Sequence, residues 1–596
     1  MKDGWLKMSS KTIVMYEISQ KQQFIFRTNR LIENIGASHI IRELTTNPRK
    51  LFENEAVQKY LNKSIDLPDP QYRIVGGGNA IFIFNSENDA TTFSRNLSFY
   101  ILQCFPGIEL FLVKRTFDWE QDLLYRNENH PGLMEKLQNE LANKKNERRY
   151  AVKQESWGIQ QACVTSGMPA NTTIFNHETN EYEPRAEEFK PIQEIGREIR
   201  NDGYHQRFIV ENDLLPASDK YKFLTQDDIE NVFSKQSSLA EKNYLAIISI
   251  DGNAMGVKVS KFFEQKFASN EDYLKKYEAF TNEIDEAYTN AFRKTIAYVM
   301  ERYDVWATDF YGHENEQLEN WKHLIPIRPI IASGDDVSLI TYGKLGIEMA
   351  KTFLTFLQEQ KITIGKGENA RTYRYEACAG VAIIRHKYPF WLGFQLADEL
   401  CNNAKKRLKK DEQKWKERGM TSNGQPYDTS LIDWHLVPHS DMVQNIESYR
   451  KQYYENDDDS ILTMRPYYIQ HDADEKKHFA SYDRTFKQVA MKALQRTKAN
   501  DEKIENDNHH IPSMAKWKNL RDVYHEGIRA VEQWLILNQF SPSGEIESKD
   551  LLFYKYRDGF GLLKERQDED GQAFAAYYDA IEIFDFFTDL SGRDRK

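Results

Sequence analysis

Three carboxylates stand where the chain leaves apolar strands: Asp251 just after Tyr244–Ile250, and Asp335 and Asp336 at the bend of Ile330–Ile340. An apolar run charged only at its tip reads as a buried strand meeting solvent there. The second stretch reads as a hairpin bent at Ser333-Gly334-Asp335-Asp336. If the two strands are neighbours, the three carboxylates converge on one sheet edge. Clustered carboxylates repel one another until a cation neutralises them, and all-oxygen ligands suit the hard ions Mg²⁺ or Mn²⁺. Two such ions ~3.5–4 Å apart activate a hydroxyl and steady a departing pyrophosphate. Asp251, Asp335 and Asp336 are therefore the candidate catalytic and metal-holding residues. A Gly-Asp-Asp bend alone is most often a solvated hairpin tip; the second Asp-tipped strand is what singles this one out.

The surrounding elements are of the kind that would position such a site. A third apolar run, Tyr375–Arg385, follows the hairpin, and helical stretches are expected over Phe262–Tyr303 and Tyr342–Gln358. The order βαββαβ is the ferredoxin-like split unit, with acids on the first strand and on the hairpin, as in a nucleotidyl-transferring palm. A weaker copy precedes it. Thr12–Ser19 and Gln23–Phe26 are β-rich, and a helix is expected over Thr28–Thr45. Then come a hairpin, Tyr72–Phe84, turning at Gly76-Gly77-Gly78-Asn79, a helix over Asn88–Leu102 and a strand at Ile108–Val113. The carboxylates are gone from that turn, so this copy should bind rather than catalyse; glycines let backbone approach a ligand closely.

The fold class expected is α+β: two ferredoxin-like palm domains, over 10–117 and 243–470, a mostly helical linker domain over 118–242 and an all-helical C-terminal domain over 471–596. The linker should hold a helix at Pro131–Arg149 and a turn-rich stretch with Asn171-Thr172-Thr173 and Pro184. Asp411–Tyr427 reads as a loop, Ser430–Leu436 as a short strand and Met464–Tyr468 as extended. Helices are expected at Phe479–Ala499, Met514–Asn538, Lys549–Glu565 and Ala573–Leu590, with a solvated loop at Lys498–His510.

Length and composition bound the alternatives. At 596 residues the chain should form several domains, and 40% hydrophobic residues with 13% aromatics can build sizeable cores. A net charge of −11 argues against a general nucleic-acid coat and leaves room only for local basic grooves. No apolar run approaches 18 residues and no signal-peptide core is visible, which reads as a soluble cytoplasmic protein with no membrane partner. Met8 is an alternative start. Cys104, Cys163, Cys378 and Cys401 are widely spaced and read as reduced and structural.

Taken together, Phe24–Ser38, Gly76–Asn79, Ile250–Gly256, Ser333–Asp336, Ala379–Ile383 with Pro389, Ala397–Leu400 with Ala404-Lys405, and Ile432–His435 resemble the large polymerase-like subunit of type III CRISPR RNA-guided effector complexes, especially the Cmr (type III-B) subtype. The resemblance runs from about residue 12 to 470. It implies an antiviral signalling enzyme. When a guide RNA captures foreign transcript, the palm joins ATP-derived units into a second messenger and releases pyrophosphate. The product is usually a cyclic oligoadenylate; in one branch ATP is joined to S-adenosylmethionine. The implied cofactors are Mg²⁺ or Mn²⁺ with ATP as substrate, and the implied partners are other subunits of the complex, guide RNA and target RNA. Carried onto this chain, Asp251, Asp335 and Asp336 would hold the metals. Gly252, Asn253, Ser333 and Gly334 would line the triphosphate, which Lys405 would reach as a point charge. The first palm, through Gly76, Gly77, Gly78, Asn79 and Ser38, would hold the acceptor.

Three departures bear on this. Ser333 stands where the family turn usually has glycine. The first palm begins too early to leave room for the histidine–aspartate nuclease domain of many members, and His471-Asp472 reads as an incidental dipeptide. The cysteines of the family's zinc module are also missing. The subunit is therefore expected to signal without cutting DNA. Two other readings stand beside it: a catalytically inert scaffold subunit of the RNA-guided complex, and a free-standing nucleotide cyclase.

Overall fold

The computed structural model describes residues 10–76, 79–127, 131–147, 158–176, 180–199, 202–225, 228–229, 244–311, 322–365, 370–417, 429–437, 443, 445–455, 462–469, 481–492, 494–495, 513–537 and 577–593. The first unit comprises β1 (Ser10–Ser19), α1 (Lys21–Ile25), α2 (Leu31–Thr46), β2 (Tyr72–Gly76), β3 (Asn79–Phe84), α3 (Glu87–Cys104) and β4 (Glu109–Asp118). Its four strands form an antiparallel sheet in the order β2-β3-β1-β4. The Ser86 hydroxyl caps α3 by accepting from the Asn88 and Asp89 N–H groups, and Glu87 and Asp89 add negative charge to the first turn, where the helix dipole favours it. One expectation fails here. Gln23–Phe26 is not β-rich: Gln20 adopts a left-handed backbone (φ 51°), ends β1 and starts α1, which buries Phe24 and Ile25. An apolar run this short does not distinguish a strand from a helical turn.

The linker holds α4 (Leu133–Glu147), which buries Leu133, Leu137 and Leu141 at helical spacing. The stretch expected to be turn-rich is instead a hairpin of β5 (Thr172–Asn176) and β6 (Glu181–Arg185). Pro184 is tolerated there because a two-stranded hairpin has only edge strands. Helix α5 (Phe189–Glu198) then crosses α2 so closely that a Cβ on Gly36 would lie 2.0 Å from the Ile192 carbonyl oxygen. Glu33 and Arg185, both buried, form an ion pair, and Arg27 meets Glu188 at 2.8 Å, tying the linker to the first unit.

The second unit runs through β7 (Tyr244–Gly252), α6 (Met255–Phe263), α7 (Asn270–Glu301), β8 (Ile327–Ser333), β9 (Asp336–Tyr342), α8 (Gly346–Gln358), β10 (Ala377–Arg385), α9 (Phe390–Glu417), β11 (Ser430–Leu436), α10 (Ile446–Tyr453) and β12 (Tyr467–Ile469). The sheet order is β8-β9-β7-β10-β11-β12, with β11 parallel to β10 after the α9 crossover. Residues Tyr244–Ile250 are buried throughout, because helices cover both faces. A Cβ on Gly346 of α8 would meet Ala246, whereas one on Gly393 of α9 would meet Ile247. Even-numbered β7 side chains therefore face α8, and odd-numbered ones, Asp251 included, face α9.

Two helix expectations change. Phe262–Tyr303 is broken between Phe263 and Asn270, where the Ser269 hydroxyl accepts from the Asp272 N–H (3.2 Å); Ser-x-x-Asp is a start signal inside the expected helix. The loop expected from Asp411 is helical to Glu417, as its Glu, Gln and Lys residues favour.

The two units share one local device. Gln20 (φ 51°) and Ala254 (φ 52°) are left-handed residues, each three positions after an acidic residue, Glu17 and Asp251, and each opens a helix. Glu17 lies opposite Asn79, and Asp251 opposite Asp336.

Further on lie a helical turn at Tyr482–Met491, α11 (Met514–His525), α12 (Ile528–Leu537) and α13 (Tyr578–Ile583). Gly527 (φ 91°) breaks the single helix expected from Met514. Arg465 pairs with Glu582 at 2.6 Å in the interior, fastening α13 to the second unit. His471-Asp472, the Lys498–His510 loop, the Lys549–Glu565 helix and residues 573–576 lie outside the described residues. The four cysteines are buried and unpaired, and among the described residues no helix is long and apolar enough to cross a membrane.

Candidate active site

The hairpin turns over Gly334 and Asp335, with Ser333 paired to Asp336. Gly334 has φ +60°, which a tight hairpin turn with glycine at its first central position requires. Its N–H donates to Asp285 Oδ1 on α7 (3.1 Å), while Arg207 of the linker holds Asp285 Oδ2 at 2.6 Å. Asp336 lies directly across from Asp251, and Ser338 from Ser249. By strand alternation these four share the face that looks toward α9. Asp335 belongs to the turn: a Cβ on Gly252 would fall 2.9 Å from the Asp335 Cβ and 2.6 Å from the Tyr288 hydroxyl of α7. That hydroxyl is buried and has no hydrogen-bond partner among the described residues.

Two ammonium groups flank the acid pair. Lys405 of α9 places Nζ 2.5 Å from Asp251 Oδ2 and 3.1 Å from the Gly252 carbonyl oxygen. Lys21 of α1 places Nζ 3.3 Å from Asp336 Oδ2, and Gln22 Nε2 lies 3.4 Å from both Asp336 carboxylate oxygens. The first unit thus reaches into the second unit's acid site. Burial, then Asp251, pushes the Asp335 carboxyl above the usual range. Burial also raises Asp336, against the pull of Lys21. A fourth carboxyl, Asp398, sits two turns before Lys405 on α9; burial, then Asp336 and Asp251, pushes it up to about 6.

Among the described residues no three acidic, histidine or cysteine side chains stand together as a metal cage; Asp335 lies on the turn beside the cross-strand pair of Asp251 and Asp336. The cross-strand pair Asp251–Asp336 is an all-oxygen donor set whose charge is offset here by the Lys405 and Lys21 ammonium groups. Such a donor set suits Mg²⁺, which is usually held by one or two carboxylates and completed by substrate phosphates and water.

A cavity of about 1570 Å³ opens beside this pair. Ser249 and Ser338 form its floor, continuous with Asp251 and Asp336 along the same sheet face. Gln22 and Arg27 line the first-unit wall, and Phe390, Trp391 and Asp398 the α9 wall.

The remaining candidates are placed as follows. The Asn253 side chain donates to the Thr429 carbonyl oxygen (3.2 Å) and its backbone N–H to that of Glu376 (2.8 Å), so it anchors local backbone. The Ser38 hydroxyl is buried and donates to the Ile330 carbonyl of β8, joining the two units. Gly76 is exposed, pairs with Asn79 and lies beside Thr281, one helical turn before Asp285 on α7; Gly77 and Gly78 lie outside the described residues. Reasoning from sequence missed Lys21, Gln22, Asp285 and Asp398. Only Asp398 carried a usable signal, its seven-residue spacing from Lys405 on one helix face. It also missed Glu17, which pairs with Lys145 of α4 at 2.6 Å.

No protein-family model and no curated protein matches the chain. Among solved structures it is similar to the Csm1–Csm4 cassette crystallised in complex with cA4 (11% identity, TM-score 0.46, covering 98% of this chain and 71% of that one). It is also similar to Csm1 from T. onnurineus (12%, 0.45, 97% and 69%) and to a type III-B Cmr-beta complex in its apo state (11%, 0.36, 92% and 79%).

Proposed function

We propose that the chain is the large, polymerase-like subunit of a type III-B CRISPR effector complex, and that its second unit, a catalytic palm, makes a nucleotide second messenger from ATP. The observation that carries this reading is the in-register pair Asp251–Asp336 at the end of the sheet face whose Ser249 and Ser338 line a cavity roomy enough for more than one nucleotide. The residue pattern shared with the family supports the complex, with its other subunits, guide RNA and target RNA as partners. Under this reading 10–117 is the first palm, 118–242 the linker, 243–470 the catalytic palm and 471–596 the C-terminal domain.

The chemistry is nucleotidyl transfer. An acceptor hydroxyl attacks the α-phosphorus of ATP; the new P–O bond forms as the α–β anhydride bond breaks and pyrophosphate leaves. Asp251 and Asp336, with Asp335 on the turn, would hold Mg²⁺ or Mn²⁺, which when bound neutralises phosphate charge and lowers the pKa of a coordinated hydroxyl. Lys405 supplies a fixed positive charge beside Asp251. Gly252 lets the Asp335 turn and Tyr288 pack against the strand end, where any Cβ would collide with them, and Ser333 and Gly334 bring the turn backbone to the same edge. The acceptor, a second ATP or S-adenosylmethionine, would lie against the first palm at Gly76–Asn79.

The test is to incubate the assembled complex with target RNA, ATP and Mn²⁺, with and without S-adenosylmethionine, and to identify products by mass. A cyclic oligoadenylate or an S-adenosylmethionine adduct that requires target RNA is expected. No nucleotide product under either condition refutes the reading in favour of a scaffold subunit, and product made by the isolated chain without RNA favours a free-standing cyclase.

A further inference from the structure

We propose that Lys21 is a positioning residue that the first unit supplies to the nucleotide phosphates of the second, and that its ion pair with Asp336 is the resting state of that contact. The inference rests on the nucleotidyl-transfer reading.

Helix α1 is held firmly where it is. It begins at the left-handed Gln20, and Phe24 and Ile25 are buried. Phe26 directly after it stacks on Phe394 of α9 at 3.6 Å between ring centroids, and Arg27 pairs with Glu188. The lysine at its first position therefore approaches Asp336 from a fixed base, with Gln22 one residue on lying beside the same carboxylate. The pair is sheltered: the Lys21 side chain is 25% exposed and that of Asp336 13%.

Lys405 faces Asp251 from α9 and Lys21 faces Asp336 from α1, so each carboxylate has its own ammonium partner, one from each unit. A divalent ion bound by Asp336 competes with the Lys21 ammonium for the same oxygens. Once displaced, a lysine on a long flexible stem is still anchored next to Gln22, which lines the cavity. The strongest nearby acceptors are then the phosphate oxygens brought in with the metal. Lys21 thereby makes the catalytic site a composite of both units.

The test uses the full chain in its assembled complex, with Mn²⁺ and the non-hydrolysable analogue AMPPNP as probes. Lys21→Met should bind Mn²⁺ more tightly without nucleotide, because its tethered competitor is gone. It should bind AMPPNP about tenfold more weakly at saturating Mn²⁺, the loss expected for one charge-assisted contact. Lys21→Arg should recover most of the AMPPNP affinity, and in product assays the methionine variant should raise KM for ATP more than it lowers kcat. AMPPNP affinity within about twofold of wild type overturns the proposal. So does a parallel loss of Mn²⁺ affinity, AMPPNP affinity and melting temperature, which marks Lys21 as inter-unit glue. Wild-type protein that shows no Mn²⁺-dependent AMPPNP binding and makes no product overturns the nucleotidyl-transfer reading itself, a separable result.

Discussion

Asp398→Asn should stabilise the protein at pH 8 in the presence of a chelator and give no such gain near pH 4. The Asp398 carboxyl is raised from 3.8 to about 6 by burial and by its acidic neighbours. The folded chain keeps this proton until about pH 6, whereas the unfolded chain releases it near 3.8, so between those values the folded state binds more protons. The group's favourable contribution is therefore complete below the unfolded value and is lost as pH rises through about 6. At 1.36 kcal/mol per unit the full penalty above that pH is about 3 kcal/mol. Solvent reaches part of the side chain, so about half of that, ~1.5 kcal/mol, is the working figure. Asparagine removes the charge and can still accept from Asn402, whose side-chain amide lies 3.1 Å from Asp398 Oδ2. For a unit of 150–250 residues the expected rise in melting temperature is about 3–6 °C. Scanning calorimetry of both proteins in EDTA at pH 8 and pH 4, then with Mn²⁺ at pH 8, reads the effect; Mn²⁺ should shrink the gain by relieving the same charge. An equal gain at both pH values would show that amide packing, not charge, is responsible, and no gain at pH 8 would refute the crowding argument.

The Asp335→Ala, Asp336→Ala double variant should lose messenger synthesis while assembling and binding RNA normally, since both residues sit at a hairpin tip; product within about threefold of wild type counts against the assignment. Gly252→Ala would push a methyl group to 2.6 Å from the Tyr288 hydroxyl. It should lower stability by about 1–3 kcal/mol, and adding Tyr288→Phe should recover part of the loss, as read by urea denaturation; no recovery would mean that the Asp335 Cβ contact dominates. Arg450→Ala strands Asp433, a fully buried carboxylate gripped at 2.9 and 2.8 Å, and should cost about 3–5 kcal/mol. A loss below about 1 kcal/mol would show that water reaches the carboxylate.

Strands were the most legible feature because burial on both faces writes them as unbroken apolar runs. Tyr244–Ile250 was read within two residues of its observed end, and the Ser333–Asp336 bend announced itself by its glycine. Helix ends were read poorly where a cap lay inside a helical pattern, as at Ser269, or where charge was mistaken for a loop, as beyond Asp411. At the site, Asp251, Asp335 and Asp336 could be put at a strand end and a hairpin tip from sequence because those are local features, whereas the register that sets Asp336 across from Asp251 could not. Lys21, Gln22 and Asp285 could not: each arrives by packing of an element distant in sequence, and nothing in their own neighbourhoods marks them. Lys405 was picked out, but its ion pair with Asp251 was not. Glu17 was passed over because only the register against Asn79 reveals its correspondence to Asp251.

That correspondence bears on ancestry. Glu17 opposite Asn79 with Lys145 alongside, and Asp251 opposite Asp336 with Lys405 alongside, are the same three-residue arrangement, each followed at the same interval by a left-handed residue and a helix. An acid-tipped module that once paired with an identical copy would have carried two equivalent centres. Two such modules in one polypeptide are free to differ: here the second unit carries two acids and the first an acid facing an amide. Only a single charge now separates the first unit's pair from the second's. Asn79→Asp would give the first unit a facing acid pair like the second unit's, so the asymmetry between them rests on one residue rather than on the fold.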